Sequence, residues 1–125
     1  MVQSKLLPEI DEKEVRKLVV QELKEFKALR IAMQNKQEIE NEGIKNPFPN
    51  LSTKEKENLI KYNQMSRAIS GALDDVEREI IERKYLGSSR VKDISVYMDM
   101  GITKDQYYNL KKQAFSQIAT ALRIT

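Results

Sequence analysis

Between Asp11 and Glu38 the chain contains neither glycine nor proline, and this uninterrupted run of good helix formers constrains the fold more than any other feature. Asp11, Glu12 and Glu14 stand where the positive end of a helix dipole favours carboxylates. Val15, Val19, Phe26 and Met33 fall on one stripe, widened by Leu18, Leu23 and Leu29, and a stripe of that kind must be covered by something. Glu22 interrupts the strict four-three spacing of a coiled-coil seam. Packing on the rest of the same chain is therefore the simpler expectation, with a homodimer through this helix as the alternative.

The stretch NEGIKNPFPNLST stops the helix, because Gly43, Pro47 and Pro49 cannot continue it. Phe48, between the two prolines, is expected to anchor on its own domain or to plug a groove. Ser52 with Glu55 has capping-box spacing, and Tyr62, Met65, Ile69, Ala72 and Leu73 then recur at helical intervals. Asp74 with Glu77 repeats the device for a helix that should turn Val76, Ile80, Ile81 and Tyr85 inward and end on a left-handed cap at Gly87. Ser89 is a candidate cap for a short helix reaching about Asp99, with Val91, Ile94, Val96 and Met98 or Met100 as its apolar set. No segment alternates with period two over a strand's length, so the expected class is all-α. The expected organisation is an amino-terminal helical arm (1–40), a Pro-containing linker (41–53) and a carboxy-terminal helical domain (54–125).

Composition narrows the chemistry. The 125 residues include no Cys and no His, which removes disulfides, thiolate and imidazole catalysis and the usual zinc ligands. The densest carboxylate cluster, Asp74, Asp75, Glu77, Glu79 and Glu82, fans around one helix instead of converging as a metal-assisted nuclease needs. Neither an enzyme nor a cofactor is expected. No apolar run is long enough to span a bilayer, and MVQSKLLPEIDEKE lacks the apolar centre of a secretion signal, so a cytoplasmic location with no membrane contact is expected. Residues 1–82 carry 14 Lys/Arg against 16 Asp/Glu, while residues 83–125 carry 8 against 3. A basic final third points that end towards a polyanion.

That basic third contains MGITKDQYYNL, Met100 to Leu110. Gly101 ends one helix, Ile102 is an apolar residue within the turn, and Thr103 with Gln106 has capping-box spacing for a helix reaching about Leu122. This is the outline of a helix-turn-helix, whose second helix lies in the major groove of DNA. Period 3.6 places Tyr107, Leu110, Ala114, Ile118 and Leu122 on the inward face, and leaves Lys104, Asp105, Gln106, Tyr108, Asn109, Lys111 and Lys112 outward. Gln106, Tyr108 and Asn109 are the candidate base readers. Lys104, Lys111, Lys112 and Arg90 are the candidate phosphate contacts.

The runs LDDVEREIIERKYL and VKDISVYMDMGITKDQYYNLKKQAFSQIATAL resemble the fourth region of bacterial sigma factors in layout. They resemble more closely the ArpU family of phage and prophage transcriptional regulators, whose recognition helix has a similar QYYxLKxxA run, here Gln106 to Ala114. The amino-terminal LPEIDEK followed by a basic helix is also similar to that family. The resemblance implies a sigma-like helix-turn-helix bundle, duplex DNA as partner, RNA polymerase as a candidate second partner, and regulation of late phage genes in a bacterial host. One departure is Tyr97, four residues before the turn glycine, where sigma units usually carry a small residue; it implies a wider or tilted helix crossing. Two rival readings are a helical adaptor that engages RNA polymerase or another phage protein through the first helix, and a DNA-packaging protein like the terminase small subunit.

Overall fold

A computed structural model of the chain describes residues 11–125. The first ten residues lie outside the described part, and with them the start of the expected arm and the LPEI portion of the amino-terminal likeness. The described residues form five helices and no strand: α1 (Glu12–Glu42), α2 (Glu55–Arg67), α3 (Asp75–Ile81), α4 (Asp93–Met100) and α5 (Lys104–Ala121). α2 and α3 each continue into a wider π turn, Ala68–Ala72 and Glu82–Leu86. None of these helices is long and apolar enough to cross a membrane.

The helix ends follow from local chemistry. The Asp11 carboxylate accepts from the Lys13 and Glu14 amides at 3.0 and 3.3 Å, giving two of the orphan donors of α1 a partner. α1 ends at Gly43 in the left-handed region, φ 66°, one turn beyond the expected Glu38. Both later capping boxes at Asp74 and Thr103 form reciprocally. The one expected at Ser52 does not: its hydroxyl accepts from the Lys54 amide, closing a turn before the helix, and Lys54 takes the cap position without a side-chain bond. Ser89 likewise caps nothing, because α4 begins later, after Lys92.

Gly87 also departs from expectation. Its backbone is extended, φ −75° and ψ 164°, because the π turn has already ended the helix. A methyl group there would meet the Arg83 carbonyl at 3.7 Å, an ordinary contact. Gly87→Ala is therefore expected to leave stability unchanged or raise it by about 0.4–1 kcal/mol through the unfolded chain. Gly101, at φ 69° with open space around it, carries backbone strain alone as its penalty, so Gly101→Ala should cost about 1–2 kcal/mol. Paired urea titrations read both, and equal effects at the two glycines would refute the distinction.

Arg78 explains how α2 stops without a glycine cap. Its guanidinium donates to the carbonyls of Ile69, Ser70 and Leu73 at 3.0, 3.1 and 2.8 Å, so a side chain from α3 provides partners for the carbonyls that α2 leaves free.

Two cores result. The larger joins α1, α2, α3 and α5 through Val19, Leu23, Phe26, Met65, Ile69, Ile81, Phe115 and Ile118, among others. The middle of the α1 stripe, Val19, Leu23 and Phe26, is thus covered within the chain, with Phe26 stacked on Tyr62 at 5.7 Å, while Leu18 stays exposed. Beyond Arg30, which pairs with Glu82 at 2.6 Å, α1 has no buried residue. The smaller core, Ile80, Val96 and Tyr107 with Val91, Tyr97, Met100, Ile102 and Leu110 against them, holds α4. Val76 and Ile94, expected inward, are exposed, and of the alternatives Met98 and Met100 it is Met100 that packs inward while Met98 is exposed: α3 and α4 turn only a narrow face to this small core. Phe48 is not anchored either, at 75% exposure, and Leu51 reaches 90%. Asn46 and Asn50 side chains organise the connector by accepting from the Phe48 and Ser52 amides.

Candidate nucleic-acid interface

α4 leads through the turn at Gly101 directly into α5. The Gly101 and Ile102 amides return to the carbonyls of Met98 and Tyr97, both at 3.1 Å, which closes α4 in a Schellman-type turn. Ile102 tucks against the small core. The Thr103 hydroxyl then accepts from the Gln106 amide at 3.1 Å, and the Gln106 carboxamide oxygen accepts from the Thr103 amide at 3.0 Å. The direction in which α5 sets out is therefore held from both sides of the turn.

The adjacent tyrosines divide as the 3.6 period predicts. Tyr107 is fully buried and Tyr108 is 42% exposed, its ring edge-on to that of Tyr107 at 5.2 Å. Tyr97, the departure from the sigma pattern, lies tilted against Tyr107 at 5.5 Å, so the room a small residue would leave between the helices is filled by two rings. Lys104, Gln106, Asn109 and Lys112 are exposed on α5, and Arg90 is exposed in the loop before α4. The Gln106 oxygen is already engaged by the cap, which leaves its amide hydrogens as the freer recognition group. Lys112 lies 3.8 Å from Glu12, with both side chains largely in solvent; such a pair contributes little and yields readily to another anion.

Lys111 departs from the outward position expected of it. Its side chain is only 13% exposed, and its ammonium donates to Asp93 Oδ1 at 2.9 Å. The rings of Tyr85, Tyr107, Tyr108 and Phe115 surround it at 5.5–6.0 Å. Four residues after Tyr107, Lys111 shares its inward face, and the partner of the ammonium stands eighteen positions earlier: the Asp93 carboxylate, in the first turn of α4, which also accepts from the Tyr107 hydroxyl at 2.5 Å. Lys84 approaches the same oxygen at 4.0 Å while donating to the Val91 carbonyl at 2.6 Å.

The electrostatics are consistent with this geometry. Partial burial pushes the Asp93 carboxyl up, but the bonds from Tyr107 and Lys111 and the nearby ammonium charges outweigh it and hold the group below its ordinary 3.8. Burial pushes the Lys111 ammonium down, and the bonds to Asp93 and Tyr85 more than reverse that, placing it above 10.5. Burial and the Asp93 carboxylate together drive the Tyr107 hydroxyl well above its usual range. Asp93 and Lys84 were not legible as site residues, since no local spacing links either to α5.

The acidic cluster on α3 offers no converging oxygens. Asp74 and Glu77 complete the cap, while Asp75, Glu79 and Glu82 pair with Arg78, Arg83 and Arg30. Among the described residues no three acidic side chains come together to hold a metal. A shallow groove of about 200 Å³ between α1, α2 and the chain end is lined by Leu18, Phe26, Met65, Leu122 and Ile124, and its carboxylates Glu22 and Glu25 are bridged by Lys61.

Comparison with family models, with curated proteins and with solved structures found no match for this chain.

Proposed function

We propose that the protein binds duplex DNA sequence-specifically through α4, the turn and α5, and so regulates transcription, in keeping with the resemblance of its carboxy-terminal half to sigma-like and ArpU-type regulators of late phage genes. The observation that carries the reading is the open leading edge of α5. Gln106, Tyr108 and Asn109 stand exposed immediately after a doubly capped turn, with Lys104 and Lys112 on the same helix and Arg90 in the preceding loop. Amides at the start of such a helix pair with adenine edges, an aromatic ring lies against a sugar or a thymine methyl, and the ammonium and guanidinium groups neutralise phosphates.

The test is binding to duplex DNA as a function of salt. The affinity should fall steeply as salt rises, and Lys104→Ala or Lys112→Ala should weaken every sequence alike and flatten the slope of log K against log[salt] by about 1 each. Asn109→Ala should instead cost about 1–3 kcal/mol on the preferred sequence and relax choice at one position. Absence of salt-dependent duplex binding would refute the reading. A protein partner, RNA polymerase or a second copy of the chain, is favoured as an additional contact by one observation: Ile44, Phe48 and Leu51 of the connector are each exposed.

A further inference from the structure

Asp93 is a point at which three helices meet through polar groups. Tyr107 and Lys111, one turn apart on α5, both donate to its Oδ1, and Lys84 from the end of α3 stands 4.0 Å away. We propose that Asp93 and Lys111 form a positioning clamp that sets the rotation of α5 on α4, and that Lys111 directs its charge inward instead of to a DNA phosphate. The proposal rests on the DNA-binding reading above.

Two donors at i and i+4 converging on one oxygen restrain rotation of α5 about its own axis, which the turn alone does not. α4 has little else to hold it, because its fully buried partners in the small core are Ile80 and Tyr107. The leverage is large. With side chains reaching about 5–6 Å from the axis, a rotation of roughly 20° moves the groups of Tyr108 and Asn109 by about 2 Å, more than a hydrogen bond tolerates. The ring cage limits escape of the ammonium, since swinging out to a phosphate would forfeit the Asp93 bond and leave that carboxylate half-buried with Lys84 as its nearest cation.

The experiment uses the full chain and a duplex enriched by the wild-type protein from a random pool, with a scrambled duplex as reference. Lys111→Met and Asp93→Asn are compared at a temperature where circular dichroism shows both folded. Lys111→Met should lower affinity for the enriched duplex at least tenfold, shrink its preference over the scrambled duplex, and leave the salt slope as in wild type. Asp93→Asn removes a negative charge, so a purely electrostatic role would tighten binding to all duplexes; the clamp requires loss of preference instead. A third readout is the Lys111 ε-methylene proton resonance, which the four rings should shift upfield in the free protein and hold there when the duplex is added. A slope that falls by about 0.9 in Lys111→Met, tighter binding by Asp93→Asn, or a Lys111 resonance that loses its shift on DNA would overturn the clamp while leaving DNA binding intact. A wild-type protein that enriches no duplex would overturn the DNA reading, and the clamp's role with it.

Discussion

Tyr107→Ala is expected to destabilise the protein by about 3–5 kcal/mol, the range for removing a large aromatic side chain from a core, while Tyr108→Ala should cost only about 0.5–1.5 kcal/mol, the worth of its edge-on ring contact. The two residues are adjacent and chemically identical, so the contrast isolates position. Tyr107 has no solvent exposure, lies between Ile80 and Val96, and gives its hydroxyl to Asp93. Truncation opens a void in a core too small to close over it and removes a donor from a half-buried carboxylate. Because that core also retains α4, backbone amides of Ser95 to Met100 should lose hydrogen-exchange protection before those of α1. Denaturant titration gives the first quantity and exchange the second. Similar losses from the two alanine variants would mean that Tyr107 does not hold this core together.

The second large effect is set by pH. A carboxyl held below its ordinary 3.8 binds protons less readily in the folded protein than in the unfolded chain. Its contribution is fully present above the unfolded value and is lost as pH falls below about 4 through the lower folded value. Lys111 has the opposite edge: raised above 10.5, it stabilises below that value and ceases to as pH rises through its folded value. Asp93 faces Lys84, Lys111, Tyr107 and Tyr108. Asp93→Asn leaves Lys111 without its counter-charge. Complete burial would make that cost about 3–5 kcal/mol; with Asp93 27% and Lys111 13% exposed, about 2 kcal/mol at pH 7 is expected after allowing for solvent screening. The gap between wild type and Asp93→Asn should narrow between pH 5 and pH 2 in urea titrations. Parallel stability curves across that interval would refute the assignment.

Much of this architecture is legible in the sequence wherever the controlling interaction is local. The capping boxes at Asp74 and Thr103 join residues three positions apart, and Gly43 and Gly101 follow the ends of their helices. The inward and outward sides of α5 follow from its period at Tyr107, Tyr108, Ala114 and Ile118. What was not legible depends on partners far along the chain or on backbone detail that side-chain pattern does not encode. Lys111, one turn after Tyr107, falls within the inward arc by period; its charge argued for the outward side, and only the carboxylate on another helix explains how an ammonium is accommodated there. Arg78 carries the end of α2 although it belongs to α3. Gly87 resembles a helix cap, but the wider turn at Glu82–Leu86 leaves it extended. Ser52 and Ser89 have the composition of caps, and in both places the chain enters its helix later than they do.

The second half of α1 has a practical consequence. Between Ile31 and Lys54 no side chain belongs to either core, so a fluorescent domain grafted at Asn50 would disturb neither of them. A reporter placed there would follow the protein on its target without altering the parts that choose it.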